Sequence, residues 1–289
     1  MKNEKETDSK FKLTAASYYS PDRPHISASM IKDYLKSPKW YYRCHVEKSV
    51  EREPTPSLKI GSIVDAHLTG EKNRYQVSCL KRDNAALYEM QKAHPELCVT
   101  QSEMNRAVAM YEAVERCDFW KNPMGKREMQ VILESHFGDT PTCGKPDIIE
   151  WDADGNVWII DLKTAQPANV KTIFAWERTC YEYGYFLQLM MYAWLFLANH
   201  PEMNFSQLRF GFITVTCDRD LVAKVQLFKV DWRLVDAQKP VIEETLNKIL
   251  LELFEDPMPT WDQAMVIGGK ESDMASMDDW NADEEEETV

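Results

Sequence analysis

Two aspartates and a lysine stand among apolar residues in the stretch CGKPDIIEWDADGNVWIIDLKTA, residues 143–165. They are Asp147, Asp161 and Lys163, and charged groups seldom lie in a buried sheet unless they are paired or bind something. One interpretation is a salt bridge of Lys163 with either aspartate at the end of a sheet. The other is a divalent cation held by both carboxylates, with the lysine holding a phosphate or helping to deprotonate a water. The spacing leaves both interpretations open.

A β-hairpin must position these three side chains. Residues along a strand alternate between its two faces, so Asp161 and Lys163 point to one side while Ile160 and Leu162 point to the other, into the core. The turn sequence DADGN joins this strand to the one that follows Asp147. A loop of three or five residues sets Asp147 directly opposite Asp161, whereas a loop of four sets it opposite Ile160 unless a bulge corrects the register.

The elements around the hairpin predict a single domain. Helices come first, and three strands follow in MQVILESHF, CGKPDIIEW and NVWIIDLKT. A helix interrupted near Gly184, a second hairpin and an amphipathic helix from Pro240 complete the order, which indicates an α/β or α+β fold with a central mixed sheet flanked by helices. We expect a flexible arm over residues 1–24, one domain over 25–260 and an acidic disordered tail over 261–289.

Charge and cysteine content narrow the functional classes. Residues 271–289 contain nine acidic residues and no basic one, which leaves 38 acidic and 34 basic residues in the remainder. Binding of nucleic acid must then be confined to a groove. No two of the seven cysteines are closer than 19 residues, so no disulfide framework is predicted. The charged N-terminus carries no secretory signal and the longest apolar run is 14 residues, so we expect a cytoplasmic protein without a membrane partner.

Four sequence elements together resemble the PD-(D/E)xK nuclease superfamily. GKPD, followed after 13 residues by DLK, is similar to its signature. GSIVDAH is similar to an upstream helix that carries a histidine, here His67, and QLMMY is similar to a Q-x-x-x-Y pair, here Gln188 and Tyr192, of the RecB-like branch. ISASMIKDYLKSPKWYY resembles the opening segment of RecE-type phage recombination exonucleases (exodeoxyribonuclease VIII). The resemblance spans about residues 25–200 and implies a restriction-endonuclease-like core.

The resemblance also implies roles for single residues. Asp147, Asp161 and the backbone carbonyl of Leu162 would bind Mg²⁺ or Mn²⁺, and Lys163 would position or activate the attacking water. His67 would assist as an outer metal ligand or a phosphate contact, although a histidine on a helix is more often a surface or satisfied residue. Gln188 and Tyr192 are four residues apart and share one helix face, where they either support the active site or DNA strand or form a core hydrogen bond. The site residues implied by the resemblance are Asp147, Asp161, Leu162, Lys163, His67, Gln188 and Tyr192.

The implied activity is an exonuclease that degrades linear double-stranded DNA from 5′ ends and leaves 3′ overhangs for a single-strand annealing partner of the RecT or Bet kind. Such enzymes form rings, so we expect a homo-oligomer, a trimer or tetramer, in a bacterial cell and encoded by a phage or prophage. No G-x-x-x-x-G-K-[ST] motif occurs, so no ATP is expected. Ser37 stands where related iron–sulfur nucleases carry a cysteine before proline, so no cluster is expected.

Two other functions stay open. One is a structure-specific or CRISPR-associated endonuclease with the same fold, which would cut closed circular DNA. The other is a catalytically silent protein that binds DNA or a partner on a nuclease scaffold. The intact set of Asp147, Asp161 and Lys163 argues against the silent protein.

Overall fold

Five strands form a mixed sheet at the centre of the molecule. The structure, a computed structural model, describes residues 13–20, 22–50, 53–256, 263–264 and 275–276. Its strands are β1 (Gln76–Val77), β2 (Cys98–Val99), β3 (Arg127–Met129), β4 (Leu133–Phe137), β5 (Thr140–Gly144), β6 (Ile148–Trp151), β7 (Val157–Ala165), β8 (Leu208–Cys217), β9 (Ala223–Val230), β10 (Gln263–Ala264) and β11 (Ala275–Ser276). The central sheet has the order β3-β6-β7-β8-β9. Only β7 and β8 pair in parallel within it, and the other neighbours are antiparallel.

Helices cover both faces of this sheet. They are α1 (Ala15–Tyr18), α2 (Ala28–Lys36), α3 (Pro38–Tyr41), α4 (Pro56–Thr69), α5 (Ala85–Ala93), α6 (Gln101–Arg116), α7 (Asp118–Lys121), α8 (Ile173–Glu182), α9 (Tyr185–Asn199), α10 (Trp232–Asp236) and α11 (Lys239–Leu250). One core cluster joins α2, α8, α9 and α11 to the face of β7 that carries Val157 and Ile159. The other joins α4 and α6 to the face that carries Ile160 and Leu162. This confirms the predicted mixed sheet flanked by helices.

The hairpin of β6 and β7 has the register that opposes the two aspartates. Trp151 pairs with Val157 and Ile148 pairs with Ile160, so the loop has five residues. The Asp152 carboxylate holds this loop, since it accepts hydrogen bonds from the Asn156 amide (2.9 Å) and from the Trp158 indole (3.1 Å). Gly155 adopts φ +77°, a conformation that glycine reaches without steric cost. Of the two registers considered, the structure has the five-residue loop.

Two of the three predicted strands before the helix are divided. The segment MQVILESHF splits between β3 and β4 at Gln130, whose φ of +53° turns the chain out of the sheet. The segment CGKPDIIEW splits between β5 and β6, because Pro146 has no N–H to donate to a ladder. β4 and β5 pair with each other as a separate hairpin that packs on α9. The interruption before β6 leaves Asp147 at the tip of that strand.

The N-terminal arm predicted over residues 1–24 is partly described. α1 begins at the side chain of Thr14, which accepts from the Ser17 amide (3.2 Å), and Arg23 donates to the Tyr18 carbonyl (2.7 Å). Tyr19 contacts Lys145 of the domain, so this part of the arm packs on the domain and is not a free tether. Of the predicted tail, only the short pair of β10 and β11 lies within the described residues. No helix among the described residues has the length and apolar content needed to cross a bilayer.

Candidate active site

The two aspartates of the hairpin meet at the point where β6 begins. Asp147 directly precedes Ile148, so the register continues to place it opposite Asp161. The Asp147 carboxylate accepts a hydrogen bond from the Leu162 amide (2.8 Å). The N–H and C=O of one residue leave a strand on the same side, so the Leu162 carbonyl also faces the edge of β7 next to Asp147. The hairpin thereby gathers both predicted carboxylates and the predicted backbone carbonyl.

Lys163 is paired with Asp161 on the same face of β7. The Asp161 side chain is 1% exposed, and its Oδ2 forms an ion pair with the Lys163 amine. That oxygen accepts no hydrogen bond of regular geometry. Burial alone would lower the pKa of Lys163, but the carboxylates of Asp161 and Asp147 outweigh burial and raise it, so the amine stays protonated. The structure therefore has the salt bridge of Lys163 with Asp161, and the cation held by both carboxylates stays a prediction.

Gln188 and Tyr192 lie against Asp161, as the spacing on α9 allows. The Gln188 side-chain amide donates to Asp161 Oδ1 (2.8 Å) and to the Tyr192 hydroxyl (2.8 Å). Tyr192 is buried, and burial together with Asp161 and Asp147 raises the pKa of its phenol well above the usual value. Gln188 is therefore hydrogen-bonded to Asp161, and Tyr192 is joined to that carboxylate through Gln188.

Lys32 of α2 is a second cation here that the sequence did not single out. Its amine donates to Gln188 Oε1 (3.1 Å), which fixes the orientation of that amide toward Asp161. Lys32 and Lys163 lie 5.7 Å and 4.9 Å from the centroid of the same ring, Tyr185. Burial first, and then the nearby Lys163, lower the pKa of Lys32 to about 8. In the sequence, Lys32 is marked only as a charged residue that follows the apolar Ile31, which does not indicate a role at this site.

A third carboxylate, Asp65 of α4, was also missed. The Gln130 side-chain amide bridges Asp65 (3.0 Å) and Asp147 (3.2 Å), while the Gln130 backbone donates to the Asp147 carbonyl (3.1 Å). The left-handed backbone of Gln130 is a local strain of the kind that concentrates at functional sites. We call Asp65, Asp147 and Asp161 the acidic centre.

His67, which the resemblance implies as a metal ligand or phosphate contact, is not brought to the acidic centre. It follows Asp65 by two residues, about 200° around the helix, so the two side chains leave opposite faces of α4. Its imidazole stacks on Tyr111 (3.6 Å between centroids) and contacts Glu115 (3.1 Å), both on α6. Within the described ranges, no hydrogen bond or ion pair joins His67 to Asp147, Asp161 or Lys163. The helix of the GSIVDAH motif contributes Asp65 instead.

The electrostatics of the acidic centre suit a divalent cation. Burial, and then the charges of Asp161 and Asp65, raise the pKa of Asp147 well above its usual range. Burial also raises the pKa of Asp65 to about 6, although Lys145 opposes this. A bound cation would remove this repulsion and could also be ligated by Oδ2 of Asp161, which is paired with Lys163 but accepts no hydrogen bond.

The oxygen donors here would fill only part of the coordination shell of a metal ion, and water would fill the rest. In the described parts of the chain, no three His, Cys, Asp or Glu side chains converge as a ready-made metal cage. Asp147, Asp161 and the Leu162 carbonyl nevertheless provide hard oxygen donors. Mg²⁺ is commonly held by one or two carboxylates and keeps several waters, so these residues fit such an ion.

Lys145 links the acidic centre to the N-terminal segment. It is 8% exposed, pairs with Glu71 (2.6 Å), and contacts the Tyr19 hydroxyl. Its amine also lies 5.7 Å from the centroid of the Tyr18 ring. The GKPD motif therefore contributes a buried lysine, Lys145, as well as Asp147.

The protein has the features of the PD-(D/E)xK class: a mixed sheet with helices on both faces, and a central hairpin with two opposed aspartates and a lysine. Residues 27–255 match the family described as a PDDEXK-like domain of unknown function (DUF3799), and the chain belongs to this family.

Comparison with solved structures shows the same fold. A crystal structure of a "Putative exonuclease" from Eubacterium rectale has a TM-score of 0.61 at 21% identity and covers 84% of this chain and 86% of that chain. SSO0001 has a TM-score of 0.28 at 13% identity, with 77% and 82% covered, which is too low to carry an argument. No curated protein matches this sequence.

Proposed function

We propose that this protein is a metal-dependent, ATP-independent exonuclease that degrades linear double-stranded DNA, from 5′ to 3′, and leaves 3′ overhangs for strand annealing. The observation that carries phosphodiester hydrolysis is the pair of opposed aspartates, the half-buried Asp147 and the buried Asp161, with Lys163 beside them. Membership of a PDDEXK-like family supports the same reaction class. The exonuclease class and the direction rest on the resemblance of residues 26–42 to RecE-type enzymes, and the name of the Eubacterium rectale protein supports exonuclease activity.

The residues of the acidic centre have separable tasks in this reaction. Asp147, Asp161 and the Leu162 carbonyl would hold Mg²⁺ or Mn²⁺, which when bound polarises the scissile phosphate and lowers the pKa of a bound water. Lys163 is protonated and positions the attacking water or a phosphate oxygen by its charge. Gln188 holds Asp161 in place, and Gln130 holds Asp147.

A single digestion series tests this function. Duplex DNA labelled at the 5′ or 3′ end is incubated with Mg²⁺ or Mn²⁺, with EDTA in parallel and a closed circular duplex alongside, and without ATP. We expect release of the 5′ label as mononucleotide while the circle is spared. Asp161→Asn should lower the rate by at least about 100-fold, since a single electrostatic group at a transition state contributes this much. Asp154→Asn, an exposed change on the same hairpin, should leave the rate unchanged.

Each other result assigns a different function. Cutting of the closed circle would make the protein a structure-specific or CRISPR-associated endonuclease. No cutting with either metal by folded protein would favour a silent DNA-binding or partner-binding scaffold. If the 3′ label is released first, the protein is an exonuclease that degrades DNA in the opposite direction to the one proposed. A measurement of molar mass tests the proposed ring-shaped homo-oligomer. Co-purification with a RecT-like protein tests the proposed annealing partner.

A further inference from the structure

A cleft of about 700 Å³ opens beside the last residues of β8 and the first residues of β9. Its floor includes Thr216, Lys224 and Gln226, and its wall is the turn after β7, with Pro167, Val170 and Lys171. None of these residues takes part in the acidic centre. The cleft is therefore separate from the acidic centre.

The strand register connects this cleft to Lys163. Lys163 pairs with Thr214, and Thr214 pairs with Gln226, so a row of side chains crosses from β7 to β9 on one face. The next row on that face contains Thr216 and Lys224. Neighbouring strands are about 4.8 Å apart, so Gln226 lies roughly 10 Å from Lys163 across the sheet. Both Lys163 and the cleft lie toward the carboxyl ends of the parallel strands β7 and β8.

The chemistry of the cleft suits a polyanion that carries flat, apolar groups. Lys171 and Lys224 are its only charged lining residues in the described part of the chain, and both are exposed. Ile173 and Phe174 lie two and three residues beyond Lys171, at the start of α8, and are 71% and 82% exposed. These are the two most exposed large apolar side chains among the described residues. Cationic grooves with aromatic side chains bind single strands through phosphates and stacked bases.

We propose that this cleft binds a single-stranded segment of the nucleic acid that runs on from the scissile phosphate, with Lys171 and Lys224 on its phosphates and Phe174 stacked on a base. The inference rests on the proposed nuclease function and adds a substrate-binding subsite to it. Gln226 at the cleft and Lys163 at the acidic centre lie in one row of the sheet, on either side of the buried Thr214. Bound strand at this subsite would hold the substrate between cuts.

Binding by an inactive full-length chain tests the subsite directly. The Asp161→Asn protein is titrated with a fluorescein-labelled oligothymidylate of about 12 nucleotides, and anisotropy is measured over a range of salt concentrations. Adding Lys171→Ala and Lys224→Ala should reduce the slope of log affinity against log salt by about 1.4, because each phosphate contact on a single strand contributes about 0.7. Phe174→Ala should weaken binding by about 5- to 150-fold. Lys229→Ala, an exposed change on the opposite face of β9, should change neither quantity.

Kinetics with active protein separate this subsite from the nuclease itself. The same changes should raise KM and leave kcat close to that of the unaltered protein, as expected for contacts made equally in substrate and transition state. If the unaltered protein cleaves DNA but the variants keep the same affinity and the same salt dependence of binding, the subsite is overturned and the nuclease function is not. If the protein cuts no DNA but the variants bind the oligonucleotide more weakly, the subsite is supported and the proposed nuclease function is contradicted. Unchanged binding with an altered molar mass for Phe174→Ala would assign the rim to contact with a second copy and overturn the proposal.

Discussion

At the scale of single residues, the acidic centre draws on positions that are far apart in the sequence. Asp65 comes from α4 and Gln130 from the break between β3 and β4, yet one side-chain amide joins Asp65 to Asp147. Lys32 comes from α2 and reaches Asp161 through Gln188. The predicted carboxylates and lysine are therefore surrounded by partners that hold them in position, and such partners influence activity almost as much as the ligands do.

The two polar residues of the GSIVDAH motif should differ sharply in their effect on DNA cleavage. Asp65→Ala removes a carboxylate and leaves Gln130 with one partner fewer, so we expect a 10- to 100-fold lower rate, roughly the effect of losing an outer-shell contact. His67→Ala removes an exposed pair with Glu115, which contributes little, so the rate should stay within about threefold. Initial rates on labelled duplex DNA measure both. If His67→Ala is as inactive as Asp161→Asn, the histidine takes part in catalysis after all.

Lys32 should matter to the rate although it contacts neither proposed metal-binding aspartate directly. Lys32→Gln removes the cation that orients Gln188, and we expect the rate to fall by about 10- to 100-fold. Lys32→Arg, which keeps the positive charge, should recover part of the loss. Lys36→Ala, exposed on the same helix, provides the matched control. Equal rates for Lys32→Gln and Lys36→Ala would show that Gln188 needs no cation.

At the scale of elements, the loop of the β6–β7 hairpin determines whether the two aspartates meet. A one-residue change of register would turn Asp147 or Asp161 to the opposite face. The Asp152 carboxylate accepts bonds from Asp154, Asn156 and Trp158, which hold the loop at five residues. Burial alone would raise the pKa of Asp152, but the hydrogen bonds from Asn156, Trp158 and Asp154 outweigh it and lower the pKa.

Asp152→Ala should therefore lower thermal stability in a manner that depends on pH. The folded pKa lies below the unfolded value of about 3.9, so the stabilisation is complete above that pH and is lost as the pH falls through the folded pKa. We expect a lower melting temperature for Asp152→Ala at pH 7, with the difference shrinking below about pH 4. Thermal denaturation followed by circular dichroism measures it, with Asp154→Ala as the exposed control in the same loop. A difference that is constant down to pH 2 would contradict the role of the ionised carboxylate.

At the scale of the whole molecule, negative charge is concentrated outside the described domain. The last 19 residues, 271–289, contain nine acidic residues and no basic one. We propose that this segment binds a partner or competes with DNA for the acidic centre. We expect the chain without residues 271–289 to cleave DNA as fast as the full chain or faster.

Ionic strength should modulate the effect of that truncation. Repulsion between the acidic residues and DNA is screened by salt, so any gain in rate should be larger at low salt. Cleavage rates of the full and shortened chains at two salt concentrations measure it. A large fall in metal-dependent cleavage by the shortened, folded chain would show that the tail contributes to activity.

The order of residues was enough to predict the hairpin, the alternation that separates Asp161 and Lys163 from Ile160 and Leu162, and the shared face of Gln188 and Tyr192. These features follow from strand and helix periods, which depend only on local geometry. The face of α4 that meets the sheet depends on the packing of distant segments, and this packing places Asp65 rather than His67 next to Asp147. Lys32 and Gln130 likewise acquire their partners through packing of distant segments, and contacts of this kind leave no periodic trace in the sequence.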